Sequence, residues 1–197
     1  MNQLSSKVDI ASETAEDGDD SAPRSSTEPE LALTVDFPKQ HEDDRIDARW
    51  VRDRLHEALR HVDASVHRIA VMLVDDLQMA RLHEAHRGEN TTTDVLTFQT
   101  SPAGAPIDAD IAVCVDEAAR RAEAGDHAIQ REALLYALHG LLHCAGFDDH
   151  TEEQSRAIHA EEDRILEAIG VGATFERDVS GHDDDRAASA RDRELAL

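Results

Sequence analysis

The sequence RIAVMLVD at residues 68–75 decides the fold class, because it is a nearly continuous apolar run between charged residues. Its short length and β-branched residues are typical of a buried strand. Two further strands are predicted at 94–99 (DVLTFQ) and 110–115 (DIAVCV), separated by a loop that contains Pro and Gly. A short edge strand is predicted at 31–36 (LALTVD), where Pro38 stops it. We therefore expect a sheet of four strands.

Helical spacing of apolar residues predicts five helices around these strands. They cover residues 47–62, 77–86, 116–124, 126–145 and a last segment from 151 to the residue before Gly170. Asp126 is the predicted N-cap of the fourth helix and Gly146 its first residue beyond the C-cap, whereas Thr151 and Gln154 form a capping-box pattern. Because strands and helices do not strictly alternate, the predicted class is α+β, a mixed four-stranded sheet packed by about five helices.

The net charge of the chain is unevenly distributed over its 197 residues. The formal total is −23, of which residues 1–30 carry −6 and residues 171–197 carry −3. Both segments are rich in acidic and small residues, so both are predicted to be disordered, flexible acidic tails. The predicted domain, residues 31–170, carries the remaining −14. This charge excludes a polybasic nucleic-acid clamp as the general design of the surface.

Hydropathy and cysteine usage indicate the compartment. No apolar run approaches the ~20 residues that a membrane span requires, and the N-terminal residues lack the basic start and apolar stretch of a secretory signal. Two cysteines, Cys114 and Cys144, are too few for a disulfide scaffold, and we interpret both as core packing. We therefore expect a cytoplasmic protein without a membrane partner.

The sequence HGLLHCAGFDDH at residues 139–150 carries the predicted chemistry, at the C-terminal end of a central helix. His139 and His143 are one helical turn apart, so both imidazoles leave the same face. Gly146 permits a left-handed turn that folds the chain back over this face. Asp149, three residues later, can then reach the same ion. Three protein ligands and an open position are typical of catalytic zinc, whereas structural zinc usually has four protein ligands.

Gly140 stands where zinc peptidases of the His-Glu-x-x-His type place their general base, directly after the first histidine. Glycine cannot accept a proton, so peptidase chemistry lacks its expected base here. The ligand spacing alone nevertheless keeps a zinc metallopeptidase-like hydrolase as an alternative. Glycine within a helix costs about 1 kcal/mol relative to alanine, so we expect Gly140 to serve a close approach at the site.

Four separated segments share their pattern with one known family. Residues 139–148 (HGLLHCAGFD) resemble His-Gly-x-Leu-His-Leu-x-Gly-Tyr-Asp, and residues 93–98 (TDVLTF) are similar to Pro-Thr-Asp-Val-Leu-Ser-Phe. Arg87 corresponds to the arginine of a Tyr-Arg element, and residues 110–114 (DIAVC) resemble a Gly-Asp-Ile strand. Within about residues 31–170 these segments together resemble the YbeY endoribonucleases, metal-dependent proteins of bacterial ribosomal RNA maturation.

The resemblance implies a single-strand-specific, zinc-dependent endoribonuclease with one ion per chain. Its implied partners are ribosomal RNA and the ribosome rather than DNA, in 3′-end processing of small-subunit RNA and in ribosome quality control. Catalytic roles are implied for His143 and for Arg87, which would pair with the scissile phosphate. The family usually has a histidine ten residues after the first ligand. Since this chain has Asp149 there, followed by His150, both are candidates for the third ligand beside His139 and His143.

Several details stay open at this point. Asp94 could orient the arginine or a histidine, and His83, where the family often has asparagine, could alter the cleft wall. The candidate general bases are Asp148 and whichever of Asp149 and His150 does not bind the metal. A non-catalytic ribosome assembly factor with a structural metal is the second alternative, because an acidic domain attracts RNA poorly. We expect weak and strongly salt-sensitive binding to free RNA.

Overall fold

The central sheet is mixed, with four strands in the order β1-β2-β4-β3. The structure, a computed structural model, describes residues 31–38 and 43–174. The strands are β1 (Ala32–Asp36), β2 (Val66–Val74), β3 (Val95–Gln99) and β4 (Ile107–Cys114). β1, β2 and β4 are parallel neighbours, whereas β3 runs antiparallel to β4 at an edge. The predicted α+β class and the mixed four-stranded sheet are confirmed.

Five α-helices accompany the sheet in the described part of the chain. They are α1 (Ala48–Ala58), α2 (Asp76–Arg87), α3 (Val115–Gly125), α4 (Ile129–Cys144) and α5 (Glu152–Ala168), with a 3-10 turn at Leu59–His61. The Asp47 side chain caps α1, and the predicted capping box of Thr151 and Gln154 is confirmed at the start of α5. None of the helices in residues 31–38 and 43–174 is long and apolar enough to cross a membrane.

The two faces of the sheet are packed unequally. Side chains alternate along a strand, so β2 directs Ile69, Val71 and Leu73 to one face and Val74 to the other. The first face, which we call the α4 face, carries the larger hydrophobic core with residues from α1, α4 and α5. The opposite face, which we call the α2 face, carries a smaller cluster. Its buried members are Val74, Met79, Leu96, Ala112 and Cys114.

The helix α4 lies close against the sheet because Gly140 has no side chain. A Cβ at Gly140 would lie 2.5 Å from Thr97 Oγ1, 3.2 Å from Ile111 Cγ2 and 3.3 Å from Val95 Cγ2. The predicted close approach therefore exists, but the prediction is wrong in placing it at the site, because its partners are β3 and β4. The contact fixes the distance of α4 from the sheet and thereby positions the histidines on the helix.

The boundary between α3 and α4 differs from the predicted one. Asp126 is not the N-cap of α4. It adopts the left-handed conformation at φ 52° and ends α3, where its N–H donates to the Ala122 carbonyl. The helix α4 follows Ala128, which makes no side-chain capping bond. Asp is one of the few L-residues that enter the left-handed region and is also a good N-cap, so its identity alone did not distinguish the two ends.

The strand β4 begins at Ile107, three residues before the predicted start. Asp108 and Asp110 interrupt the apolar run, but both pair with Arg68 of the neighbouring strand, at 2.7 Å and 2.8 Å. Alternating apolar residues between them stay buried against the α4 face. The charged residues interrupt the apolar pattern, so the pattern did not predict the first three residues of the strand.

The predicted tails, 1–30 and 171–197, lie outside the described residues except for 171–174. Those four residues are held against the domain. Arg131 Nη2 donates to the carbonyls of Gly172 and Ala173 at 3.0 Å and 2.6 Å, and the Thr174 N–H donates to Asp163 Oδ1 at 2.7 Å. The packed part of the chain thus extends beyond residue 170.

Candidate metal centre

The two histidines of α4 meet at the last turns of the helix. His139 and His143 are four residues apart, and their Nε2 atoms lie 2.9 Å from each other. The rings are nearly perpendicular, with their centroids 4.5 Å apart. Both Nε2 atoms therefore point to the same place on the helix surface, as the spacing predicts.

The turn after α4 brings a carboxylate to the same place. Gly146 has φ 100°, and its N–H donates to the His143 carbonyl at 3.1 Å while the Phe147 N–H donates to the Leu142 carbonyl at 3.0 Å. This pair of bonds is a Schellman motif, which reverses the chain direction after a helix. Asp149 Oδ2 consequently lies 3.8 Å and 4.0 Å from the Nε2 atoms of the two histidines.

Hydrogen bonds on the far side of each ring define the tautomers. His143 Nδ1 lies 3.1 Å from the Phe147 carbonyl, and His139 Nδ1 lies 2.6 Å from Glu162 Oε1. A carbonyl and a carboxylate accept hydrogen bonds, so in the neutral rings Nδ1 carries the hydrogen and Nε2 presents its lone pair. The two Nε2 atoms and the Asp149 carboxylate are then three converging acceptors.

Three converging acceptors suit a cation. In a tetrahedral zinc site the ligand atoms are separated by about 3.3 Å, as bond lengths of about 2.0–2.2 Å require. The three separations here are 2.9, 3.8 and 4.0 Å. Two imidazoles and one carboxylate form a donor set that zinc accepts. The side chains present therefore fit a divalent metal ion.

His150 lies outside this group of three. The three acceptors of His139, His143 and Asp149 lie within 4.8 Å of one another, whereas His150 groups with Asp148 and Asp149 instead. The His150 side chain is 81% exposed, and its Nδ1 lies 2.9 Å from Asp148 Oδ1. In this arrangement Asp149, at the spacing that the motif predicts, is the residue beside the two histidines.

The surroundings of His139 favour positive charge. Burial opposes protonation of the ring and is the largest influence on its pKa. The hydrogen bond and the negative charge of Glu162, together with the charges of Asp94 and Asp149, outweigh it, so the pKa of His139 is raised above its usual value. The same negative field stabilises a metal cation at this position.

Arg87 ends α2 and is exposed to solvent. It is absent from the described residues that line a cavity of about 420 Å³ next to His139, whereas Asp94 belongs to that lining. Asp94 Oδ1 accepts from the N–H of Val95 at 2.8 Å and from Thr93 Oγ1 at 3.0 Å. Asp94 thus lies near a histidine, one of its two predicted neighbours, and acts on it through its charge.

His83 is buried rather than placed on an open wall. Its exposed fraction is 8%, and its Nδ1 lies 2.9 Å from the Thr91 carbonyl. Thr91 belongs to the loop that connects α2 to β3 and precedes Asp94. His83 therefore anchors this loop from within α2.

Polar and ionisable side chains line the cavity beside His139. Glu132 of α4 is buried, with 5% exposed, and its Oε1 lies 3.0 Å from His127 Nε2. Burial raises the pKa of Glu132, although His127 and Tyr136 act in the opposite direction. The lining further includes Glu162 and His159 of α5. Side chains of α4 and α5 therefore surround the inner side of His139.

The sequence patterns did not single out Glu162 and His159. Glu162 is 2% exposed, and it accepts from His139 Nδ1 through one oxygen and lies 2.9 Å from His159 Nδ1 through the other. A signal for it existed, because Glu162 occupies the apolar stripe of α5 between Ile158 and Ile165. A glutamate at a core position of a helix requires a partner.

Both cysteines are free, and neither belongs to a candidate metal group within the described residues. Burial raises the pKa of Cys144, and it raises that of Cys114 to about 11. Cys114 is fully buried in the smaller cluster, and its Sγ also lies 3.2 Å from Asp76 Oδ1. Core packing, as predicted, describes both residues, with a polar contact added for Cys114.

Comparison with known proteins identifies the relatives of this chain. Residues 36–170 match the family model described as Endoribonuclease YbeY. Endoribonuclease YbeY of Anaeromyxobacter sp. (strain Fw109-5) is 33% identical over 73% of this chain and 76% of that protein. The protein of the same name from Anaeromyxobacter dehalogenans is 30% identical over 82% and 83%. A solution structure of TM1509 from Thermotoga maritima has 20% identity and a TM-score of 0.48, covering 70% of this chain and 90% of that one.

Proposed function

The chain belongs to the YbeY endoribonuclease family, and from this premise we propose that it is a zinc-dependent endoribonuclease that cuts single-stranded RNA. We place its action in ribosomal RNA maturation, at the 3′ end of the small-subunit RNA, and in ribosome quality control. Its partners in this proposal are RNA and the ribosome, and its compartment is the cytoplasm. Free, protonated thiols at Cys114 and Cys144 are compatible with a reducing compartment.

One observation carries the proposal: in a chain of an endoribonuclease family, His139 Nε2, His143 Nε2 and Asp149 Oδ2 converge as acceptors. These three residues would hold the metal ion. When bound, a zinc ion lowers the pKa of a water molecule and polarises a phosphoryl oxygen. The Nε2 lone pairs of His143 and His139 stay available because each Nδ1 carries the ring hydrogen and donates it in a hydrogen bond, to the Phe147 carbonyl and to Glu162 respectively.

Arg87 would bind the scissile phosphate. Its guanidinium offers a fork of N–H donors that matches two phosphate oxygens, and it would stabilise the charge that develops as the phosphodiester bond breaks. The side chain is exposed at the end of α2, so it is accessible to a polymeric substrate. The cation at the histidines and Arg87 would supply positive charge that the acidic surface lacks.

Asp148 and His150 offer the base that hydrolysis requires, next to the three acceptors. Asp148 Oδ1 and His150 Nδ1 lie 2.9 Å apart, and Asp148 also accepts from the Asp149 N–H. A carboxylate–imidazole pair of this kind can take a proton from water and hold it. We assign proton transfer to this pair, since Asp149 faces the histidines.

Gly140 disfavours the peptidase alternative for a structural reason as well as a chemical one. A glutamate at this position, as His-Glu-x-x-His peptidases have, would collide with Thr97 and Ile111 of the sheet. The position of a peptidase base is therefore turned toward the core and not toward the histidine face. The assembly-factor alternative differs from the nuclease in requiring no catalytic arginine, which makes it testable.

Cleavage of a labelled single-stranded RNA by purified, zinc-loaded protein tests the proposal. We expect His143→Ala and Arg87→Glu each to reduce the rate by at least about 10²-fold, because each removes a group that stabilises the transition state. Arg81→Glu, on the same helix as Arg87, and His56→Ala, on α1, are the matched controls. Each makes the same substitution as one of the test variants, at an exposed residue outside the group of three acceptors. Both controls should cleave at the rate of the parent.

Two results would contradict the nuclease. If cleavage survives both His143→Ala and Arg87→Glu, the activity comes from a contaminant. If the parent binds zinc and ribosomes but does not cut RNA, the assembly-factor alternative replaces it. Thermal melting of each variant without metal, compared with the parent, distinguishes loss of chemistry from loss of fold.

A further inference from the structure

We propose that Glu162 and His159 of α5 form a positioning pair for the metal ligand His139, so that a helix without any ligand of its own sets the metal affinity. The inference rests on the proposed metal site and adds to it the residues that hold one ligand in place. Neither residue belongs to the group of three acceptors, which is His139, His143 and Asp149. Both act through the Nδ1 side of His139.

The Glu162 carboxylate is held at both oxygens. Oε1 lies 2.6 Å from His139 Nδ1, and Oε2 lies 2.9 Å from His159 Nδ1. Rotation of the carboxylate would therefore break two hydrogen bonds. The rings of His139 and His159 lie 6.5 Å apart and are inclined by 25°, on either side of the carboxylate. The arrangement restricts the orientation of the His139 ring about its own axis.

The position of Glu162 has a cost that packing alone does not explain. Its side chain is 3% exposed and lies between Ile158 and Ile165 on the buried stripe of α5. Desolvation of a carboxylate is expensive, and an apolar residue of similar size often stabilises such a position better. A functional role at His139 accounts for a charge in this place.

The role follows from the chemistry of metal-bound imidazole. A carboxylate on Nδ1 fixes the tautomer in which Nε2 is free, orients the ring and raises the basicity of the ligand atom. At His143 the hydrogen-bond acceptor on the Nδ1 side is the Phe147 carbonyl instead of a carboxylate. The two ligands thus differ: α4 and its own turn hold His143, whereas α5 holds His139.

His159 completes the pair from within α5. It stands three residues before Glu162, one helical turn away, and is partly buried at the cavity. Its Nδ1 contacts the carboxylate oxygen that does not contact His139, so a second hydrogen bond holds the Glu162 carboxylate in place. Loss of His159 should therefore weaken the positioning of His139 less than loss of the Glu162 charge.

Metal affinity in the full-length chain tests the inference, with cobalt(II) as the probe because its visible spectrum reports ligand geometry. We expect Glu162→Gln to weaken cobalt binding by about 10-fold and Glu162→Ala by about 100-fold, in the range found for partners of metal ligands. His159→Gln should give a smaller loss, about 3-fold to 10-fold. The cobalt absorption bands should shift in both Glu162 variants.

Glu132→Gln is the matched control. Glu132 is also a buried glutamate paired with a histidine beside the same cavity, at 3.0 Å from His127, but its partner is not a proposed ligand. We expect it to leave the cobalt affinity within twofold of the parent. The melting temperature of each variant without metal gives the second measurement, since it records a loss of stability separately from a loss of metal affinity.

The outcomes separate the inference from the proposed function. Unchanged affinity and spectrum in Glu162→Gln would overturn the inference, as would a lowered melting temperature with unchanged affinity, which indicates a purely structural residue. A parent chain that binds no cobalt overturns the inference together with the metal site. A parent that binds cobalt, loses affinity in the Glu162 variants and yet cuts no RNA supports the inference and contradicts the nuclease.

Discussion

The α4 face and the α2 face of the sheet differ in how much protein covers them. Residues of α1, α4 and α5 pack on the α4 face around a continuous core that reaches all four strands. On the α2 face, five buried residues form the cluster beneath α2, and large apolar side chains remain exposed, with Met72 at 45% and Leu77 at 60%. The sheet is therefore deeply buried on one side and partly open on the other.

The candidate site lies on the more deeply packed side, and this placement has a physical reason. Holding three acceptors together requires rigid elements, because their mutual repulsion would otherwise separate them. The helix α4 supplies two histidines, its turn supplies Asp149, and α5 supplies Glu162 from behind. Surrounding buried side chains restrict Glu162 to one conformation, whereas the turn after α4 places the exposed Asp149. The α2 face, with fewer buried neighbours, offers less restraint.

Cavity-forming substitutions should reveal this difference most strongly. Leu55 on the α4 face and Met79 on the α2 face are both 0% exposed and similar in volume. We expect Leu55→Ala to destabilise the protein by about 3–5 kcal/mol and Met79→Ala by about 2 kcal/mol. The smaller loss follows because surface neighbours of Met79 can relax into the space. Urea unfolding monitored by circular dichroism measures both.

Equal losses of stability in Leu55→Ala and Met79→Ala, or a larger loss in Met79→Ala, would contradict the inferred difference in packing between the two faces. Unchanged m-values in both variants would show that the difference arises in the folded protein rather than in the unfolded chain. Metal affinity gives a further check, since neither residue lies among the converging acceptors and neither substitution should change it by more than about twofold.

Adding a side chain at Gly140 should lower the stability of the protein by an intermediate amount. In Gly140→Ala the new Cβ would meet Thr97, Ile111 and Val95 at 2.5–3.3 Å. Overpacking of this kind costs about 1–3 kcal/mol, and the better helix propensity of alanine returns about 1 kcal/mol. We expect a net loss of stability of up to about 2 kcal/mol, measured by thermal or urea unfolding, because α4 must move away from the sheet.

The second-site variant Thr97→Ala gives the control for Gly140→Ala. Removal of the Thr97 hydroxyl and methyl should make room for the new Cβ, so the double variant should recover at least about 0.5 kcal/mol relative to additivity. Additive effects would indicate that the helix tolerates the alanine by a different movement, and that the close approach does not set the position of α4.

The ionised Asp76 carboxylate, at the start of α2, should make a smaller contribution to folding stability, which is lost in acid. The pKa of Asp76 is lowered from 3.8 to about 2, chiefly by its hydrogen bonds with Arg120, against the opposing effect of burial. A lowered folded-state pKa stabilises the protein above the unfolded value, and this contribution disappears as the pH falls from 3.8 through about 2. Asp76 is 42% exposed, so we expect at most about 1 kcal/mol.

Urea unfolding of Asp76→Asn at about pH 6 and about pH 3 measures this contribution. The variant should be less stable than the parent at the higher pH, and the difference should narrow at the lower pH. Asp53→Asn is the control, since Asp53 is an exposed aspartate on α1 whose neighbour is Arg52. A difference between Asp76→Asn and the parent that widens in acid would contradict the assignment.

Local patterns predicted most of the fold. The apolar runs gave the positions of the strands, since residues 68–75 and 94–99 each fall on a strand of the structure. The turn after α4 was predicted equally well, because Gly146 lacks a Cβ and therefore adopts the left-handed conformation readily. Element boundaries were predicted less well in two situations. Aspartate suits both the end and the start of a helix, as at Asp126, and outward-facing charges interrupt the apolar pattern of a strand, as at Asp108.

Local spacing along the chain was enough to predict the central positions of the strands and helices, the histidine pair and the glycine turn, because these depend on a few residues within one element. The tertiary structure decided which groups meet across long separations. It brings Glu162 to His139 from another helix, turns Gly140 toward the sheet and leaves His150 outside the group of three acceptors. Such contacts depend on how helices pack against one another, and the spacing within any single element does not contain that information.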